Sequence, residues 1–447
     1  MSQRHPREGA KALREGMERH LGRPVSRREF LRASAGAAVA VPTLSALLAA
    51  CGGNPRNQVQ SGFKVATPDN PVTLPLVGTP IADGMVPETG AKLQIFNWDA
   101  YMWKTVIQDF CDQNNCDYEW TTFNNMEEAI AKIQTGELKI DVFFPTYDVL
   151  GKLVHGNFLQ PLNHSYIPNL KANVWDYLQD PFYDQGSRYS VPYTVYTTGI
   201  AYRRDVISDD TIYGAANPRA MLWDPQYSGK VGVYDSYRDT IAFALQELGI
   251  NDVNTENAAD IDKAKAALLD MINKVNVRAT INGAYAKLPK GEYVLHESWS
   301  GDIVAGWSYT PNATEADYKT LGYWFPEDRV GPADNDLMAV PSSAEHPVLA
   351  HMFLNHILDY QTAMTNFSWN GYQPPQKQAV LSSLTTTEGA YSKGANWAAP
   401  IPYVPPWMPA AVVRETDLSK TGLRIHELSP VGDQLWQDAW QEFQAGV

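Results

Sequence analysis

Between residue 93 and residue 155 the apolar residues of this chain change period again and again, and each change marks a strand passing into a helix. Leu93 to Trp98 reads as a buried strand, after which Trp103, Val106, Ile107 and Phe110 recur at i, i+3, i+4 and i+7, the stripe of a helix facing a core. Tyr118 to Phe123 suits a second strand. Asn125 with Glu128 three residues later marks a helix start, Met126, Ala129, Ile130 and Ile133 carry its stripe, and Gly136 stops it. Ile140 to Phe144 is predicted as a third strand, followed by a helix from about Asp148 to His155. Such alternation with short connections constrains the chain to an α/β fold, a parallel sheet with helices on both faces.

Further helices are predicted at Asp239 to Leu248, Ile261 to Val275, Pro347 to Tyr360 and Val431 to Phe443, while Tyr189 to Tyr202 reads as extended chain. No internal repeat is visible. In open α/β sheets a ligand lies beyond the carboxyl ends of the strands. That geometry nominates Asn97-Trp98-Asp99-Ala100-Tyr101, after the first strand, and Pro145-Thr146-Tyr147-Asp148, after the third, as linings of one crevice.

The chain begins with an export address. Ser26-Arg27-Arg28-Glu29-Phe30-Leu31-Arg32 matches the pattern read by the twin-arginine translocon, and Leu48-Ala49-Ala50-Cys51 matches a lipobox whose Cys thiol is acylated before cleavage. The intervening run from Ala33 to Ala50 is mostly Ala, with Gly36, Pro42 and Ser45, and so is poor material for a spanning helix, which needs about 20 strongly apolar residues. Residues 1–51 are therefore expected to be a signal peptide, with the protein periplasmic or on the outer face of the cell membrane, lipid-anchored at Cys51. From Gly52 to about Gly90 the chain is rich in Gly, Pro and Asn without periodicity, which reads as a tether; Val72 to Val86 is apolar enough to pack as an irregular strap.

The formal net charge is −14, and the leader holds an excess of arginine, so the remainder is more acidic still. An acidic surface argues against nucleic acid and favours cationic partners or plain solubility. A chain of 447 residues with 44% hydrophobic content buries a large core and is expected to divide into two lobes. After Cys51 only Cys111 and Cys116 remain; an oxidising compartment permits them to pair, the alternative being two buried free thiols.

Catalytic motifs are missing. The chain has no G-x-S-x-G, H-E-x-x-H, G-x-G-x-x-G or Walker lysine loop, and His346, His351 and His356, spaced five apart, do not share a helix face as metal ligands do. Neither a metal nor a cofactor is expected. What recurs is an aromatic ring beside a carboxylate: Trp98-Asp99 with Tyr101, Asp235-Ser236-Tyr237-Arg238-Asp239, Trp299-Ser300-Gly301-Asp302, Asp334 with Asp336, and Tyr372. Aromatic faces attract ammonium groups and cover methylenes, while carboxylates supply charge-assisted hydrogen bonds, a combination suited to an elongated cation. With 11% aromatic residues many such neighbours arise by chance, and sugar sites use the same residue types.

At these segments the chain resembles the substrate-binding proteins of ABC importers for spermidine and putrescine. Leu93-Gln-Ile-Phe-Asn-Trp-Asp-Ala-Tyr101, Ile140-Asp-Val-Phe-Phe-Pro-Thr146, the crossover from Ser190-Val-Pro-Tyr193 to Asn217, Trp223-Asp-Pro-Gln-Tyr-Ser-Gly-Lys230, Trp299-Ser-Gly-Asp302, Asp336-Leu-Met-Ala-Val-Pro341 and Asn370-Gly-Tyr-Gln-Pro-Pro375 carry the likeness. The resemblance implies a two-lobed periplasmic-binding-protein fold of type II, each lobe a mostly parallel sheet flanked by helices, with lobe 1 at 91–197 plus 337–372 and lobe 2 at 198–336 plus 373–447. It implies a monomeric receptor, not an enzyme, that closes on a polyamine and hands it to a membrane permease. Trp98 and Trp299 are then stacking walls, Tyr101 and Tyr372 line the cleft, and Asp239, Asp302 and Asp336 receive ammonium groups, with Asp99, Thr146, Asp148 and Asp235 nearby.

Departures from the family pattern bear on the ligand. Ser236 stands where spermidine binders tend to carry an Asp, Asp148 replaces a tyrosine, and Asp334 replaces a tryptophan. A receptor for a carbohydrate or another amine on the same fold stays open, and so, more remotely, does a secreted hydrolase.

Overall fold

The computed structural model describes residues 64–136, 138–306, 314–385 and 404–447. The export address, Cys51 and the first part of the tether lie outside the described residues. The first strand, β1 (Lys92–Trp98), is followed by α1 (Lys104–Asn114), β2 (Asp117–Phe123), α2 (Met126–Gln134) and the short β3 (Val142–Phe143). The predicted capping of α2 is present: the Asn125 side chain accepts from the Glu128 N–H at 2.8 Å, while Glu128 accepts from the Asn124 N–H at 2.9 Å. The third strand is shorter than expected because Asp141 turns its carboxylate onto the Gln94 N–H and the His346 ring, both at 2.9 Å. A 3₁₀ turn, Tyr147–Val149, then leads into α3 (Leu150–His155).

The long strand β4 (Ser190–Arg203) is followed by β5 (Val231–Val233), α4 (Tyr237–Glu247), α5 (Ala258–Val275), β6 (Arg278–Ala279), β7 (Leu295–Trp299), α6 (Ser300–Ala305), β8 (Leu321–Trp324) and β9 (Ala333–Ala339). Helices α7 (Pro347–Ile357), α8 (Tyr360–Asn370) and α9 (Pro430–Gln444) close the fold. The helix predicted to run to Tyr360 ends at Ile357, and a further helix, not predicted from the sequence, starts at Tyr360. Asp359 caps the second by accepting from the N–H groups of Gln361 and Thr362.

The strand order is β2-β1-β3-β9-β4-β7-β5-β6, with β8 also paired to β4. Pairing is parallel among β1, β2 and β3 and among β5, β6 and β7, and antiparallel where β9, β7 and β8 meet β4. β4 joins the halves. Its residues 190–197 pair with β9, with a register shift at Pro192, whose missing N–H cannot serve a ladder; residues 198–203 pair with β7 and β8. Its apolar side chains divide the same way. Val191 and Val195 enter a core with Leu93, Ile95, Val142, Met338 and Phe353, whereas Ile200 and Tyr202 enter another with Val231, Ile241, Leu268 and Trp436.

The segment from Val72 to Val86 lies along the fold as an irregular strap. The Val72 N–H donates to Phe182 O at 2.8 Å, Arg188 donates to Leu74 O at 2.9 Å, and the Tyr189 hydroxyl donates to Pro75 O at 2.7 Å. Glu88 then accepts from the Val348 and Leu349 N–H groups in the first turn of α7. Among the described residues no helix is long and apolar enough to cross a membrane.

The three histidines go to separate partners. His346 bonds Asp141, His351 accepts from the Asn163 N–H and donates to Pro347 O, and His356 contacts Val106 O. Among the described residues no group of His, Cys, Asp and Glu is placed to hold a metal ion. Cys111 and Cys116 are free thiols in this structure and flank the turn that ends α1, where the Cys116 N–H donates to Cys111 O at 3.1 Å.

Candidate functional site

The turn after β1 and the strand β9 converge on Asp336. Ala100 has φ 53°, which turns the chain so that Tyr101 faces back across the sheet. The turn is pinned from two sides, by the Tyr193 hydroxyl and the Asn370 amide donating to Tyr101 O at 2.6 and 2.9 Å. The Tyr101 hydroxyl then donates to Asp336 Oδ2 at 2.6 Å and pairs with Thr194 Oγ1. The other oxygen of Asp336, Oδ1, is buried without a hydrogen-bond partner, and the residue is only 7% exposed. An unsatisfied buried acceptor costs about 1–3 kcal/mol, more when charged. Burial pushes the Asp336 carboxyl up to about 7, against the Tyr101 bond and with the charges of Asp239, Asp334 and Asp148 adding to the effect.

Across from it stands a wall of rings. Trp299, at the end of β7, stacks on Tyr234 with centroids 3.9 Å apart, and its indole N–H donates to Asp239 Oδ1 at 2.9 Å. Tyr196 meets Trp299 and Tyr372 edge-on, each at 6.0 Å, and Tyr372 meets Tyr101 at 4.6 Å. Glycine makes this approach feasible. A Cβ on Gly301 would lie 2.3 Å from the Tyr372 ring, and one on Gly371, at φ +74°, would lie 2.3 Å from Gly301 O. The Tyr372 hydroxyl therefore reaches Asp302 Oδ1 at 2.7 Å, while Tyr234 donates to Asp302 Oδ2 at 2.7 Å.

The nominated residues thus separate into groups. Trp299, Asp239, Tyr372, Tyr101 and Asp336 come together. Thr146 forms an antiparallel backbone bridge to Asp336 just past β3, and the charge of Asp148 acts on both Asp239 and Asp336. Asp302, expected to receive an ammonium, has both oxygens occupied by tyrosine hydroxyls and is buried beneath the rings, so its visible work is to fix them. Burial pushes its carboxyl up to about 7. Trp98 is half-buried with its indole N–H on Phe144 O at 3.1 Å; Asp99 is exposed; Asp235 accepts from the Gln444 side chain at 2.7 Å.

Thr194, Tyr196 and Tyr234 were not nominated. Tyr234 follows β5 directly, so the carboxyl-end argument applied to that strand finds it. Thr194 and Tyr196 share one face of β4, two residues apart, a signal that becomes usable once Tyr101 is known to reach Thr194. Asp334 Oδ1 accepts from Tyr147, from Arg424 Nε at 3.2 Å and from the Ile425 N–H at 3.3 Å.

A carboxylate with a free oxygen, held among aromatic rings beside further carboxylates, has the chemistry to seat a small cation. The profile of the bacterial extracellular solute-binding protein family matches residues 105–393, and the chain belongs to that family. It is 27% identical over 314 residues to a putrescine/cadaverine-binding protein of Pseudomonas aeruginosa, covering 68% of this chain and 85% of that one. It is also 27% identical over 314 residues to a spermidine/putrescine-binding periplasmic protein of Haemophilus influenzae, covering 68% and 82%. The fold is that of type II periplasmic binding proteins: a putative spermidine/putrescine ABC transporter from Listeria monocytogenes superposes with a TM-score of 0.65 at 22% identity, over 79% of this chain and 98% of the other.

Proposed function

We propose that this protein captures a small polyamine such as putrescine or spermidine outside the cytoplasm and delivers it to an ABC permease, performing no covalent step. One observation carries the reading: Asp336 Oδ1 is buried and unpartnered, and among the described residues Asp336 has no ion pair. A protein cation would have satisfied it. An alkylammonium supplies the missing donor and charge, and the rings of Trp299, Tyr196 and Tyr372 cover its methylenes. The names of the relatives from Pseudomonas aeruginosa and Haemophilus influenzae support the same ligand class.

In this reading the two halves joined at β4, residues 91–197 plus 337–372 and 198–336 plus 373–447, close on the ligand by a hinge. The protein works as a monomer, exported by the twin-arginine route and held to the membrane by a lipid on Cys51. Cys111 and Cys116, adjacent as thiols, pair once the chain reaches an oxidising compartment.

Calorimetric titration with putrescine and spermidine, using maltose as neutral control, tests the ligand class. Saturable one-to-one binding of an amine with none of maltose is expected. Heat from maltose alone, or from no amine at high protein concentration, overturns it.

A further inference from the structure

The carboxylates of the crevice continue beyond the ring wall into a second group, and there the protein brings its own cation. Glu127 opens α2, Asp148 lies in the turn after β3, and Glu427 and Asp433 come from the chain around the start of α9. Asp148 links the groups, because its charge acts on Asp239 and Asp336 to one side and on Glu127 and Glu427 to the other. Direct contacts trace the same path. Asp239 shares the first turn of α4 with Tyr237, whose hydroxyl donates to Asp433 Oδ1 at 2.7 Å.

Lys152 stands at the end of that path, four residues after Asp148. Its side chain is 9% exposed, with Nζ 3.5 Å from Asp433 Oδ2 and 4.0 Å from Glu427 Oε1. Lysine is almost never this buried unless paired. Glu427 Oε1 has no hydrogen bond and Glu427 is 5% exposed, so the carboxylates here are only partly satisfied by their lysine. Arg238 is a second cation near the row, and its charge acts on Asp239 and Glu427, but its hydrogen bonds go to His426 O and Asn254 Oδ1 with the guanidinium over Trp436.

A lysine ammonium and the ammonium of an alkylamine present the same charge and the same three donors. The two ends of the carboxylate row therefore differ in kind: the Asp336 end lacks a cation and the Glu427–Asp433 end holds one on a tether. We propose that Lys152 is a resident cation that fills the far end of the row, so that the site takes a short diamine gathered at Asp336, Asp239 and Asp148 and disfavours a longer polyamine, whose further ammonium would meet Lys152. This selectivity rests on the amine-receptor reading above.

Titrating putrescine and spermidine into the wild-type protein and into Lys152→Met tests it. The wild-type protein is expected to bind putrescine more tightly, and Lys152→Met to shift the ratio of the two affinities at least tenfold toward spermidine, as the longer amine replaces the lost ammonium. Lys152→Met combined with Glu427→Gln removes one of the charges left unpaired, keeps Asp433 as a seat, and is expected to shift the ratio in the same direction, which guards against misfolding of the single variant. Lys152→Arg, which retains the charge, is expected to keep the wild-type ratio. An unchanged ratio in Lys152→Met and the double variant, with both amines still bound, overturns the role of Lys152 while leaving the amine receptor standing. Failure of the wild-type protein to bind any amine overturns both, and the wild-type titration alone distinguishes that case.

Discussion

Asp334 and Asp336 stand two residues apart on β9, so strand geometry turns both to one face, yet their surroundings assign them opposite work. Asp334 gathers Tyr147, the Ile425 N–H and the guanidinium of Arg424, an ion pair, on Oδ1; Asp336 receives the neutral Tyr101 hydroxyl on Oδ2 and nothing on Oδ1. Arg424 itself is spread over Asp334, Asn335 and the rings of Tyr147, Phe182 and Tyr177. Burial raises both carboxyls, to about 6 at Asp334, where Arg424 opposes it, and to about 7 at Asp336. A paired buried carboxylate is structure; an unpaired one waits for a cation.

The comparison breaks most visibly if the two aspartates respond alike to substitution. Asp334→Ala leaves the Arg424 charge buried without its partner and is expected to lower stability by about 3–5 kcal/mol in urea unfolding. Asp336→Asn is expected to leave stability unchanged or raise it, since an unpaired carboxylate is removed. In calorimetry the same variant is expected to weaken amine binding by about 2–5 kcal/mol, the usual cost of deleting one member of a buried charge pair.

pH sharpens the contrast. The Asp336 carboxyl titrates near 7 in the fold against a usual value of 3.8, so its contribution to the stability of the free protein is full below 3.8 and is lost as pH rises through 7. Asp302, near 7, and Glu297, pushed up to about 8 by burial and the charge of Asp239, act in the same direction. A bound ammonium favours the carboxylate, so affinity is expected to fall about tenfold per pH unit below 7, and the rise in Tm on adding putrescine to be larger at pH 8 than at pH 6.

Smaller effects follow from residues that only shape the crevice. Gly301→Ala forces the Tyr372 ring away from Asp302 and is expected to weaken amine binding about tenfold, near 1.4 kcal/mol, in the same titration. Asp99→Ala, at an exposed turn, is expected to change stability by less than about 0.5 kcal/mol and to leave affinity nearly unchanged.

Much of the scaffold was legible from period alone. β1, β2 and α2 fall within one or two residues of their predicted bounds, because each carries an unbroken stripe and Asn125 caps where its side chain dictates, while α1 runs four residues past Phe110, the last residue of its stripe. The start of α8 was legible in principle from Asp359 as a cap signal near the end of an apolar run. The site was legible only in part. Strand ends found Tyr101 and Thr146, while the pairing of rings with carboxylates and the family likeness supplied Trp299, Asp239, Asp336 and Tyr372. The face of β4 that carries Thr194 to Tyr101 and Tyr196 to Trp299 is fixed by pairing with β9, which local sequence does not contain, so Thr194 and Tyr196 were missed. The partners that distinguish Asp334 from Asp336, and Lys152 from an ordinary helix lysine, arrive from Arg424, Glu427 and Asp433, far away in the chain.

The most direct measurement is proton release on binding, taken by calorimetric titration of putrescine near pH 6.5 in buffers of different ionisation enthalpy. If a buried, unpaired Asp336 is the seat of the cation, binding drives its carboxyl to ionise and releases protons, and the release falls in Asp336→Asn. Binding with no proton release, or a release unchanged in Asp336→Asn, contradicts it.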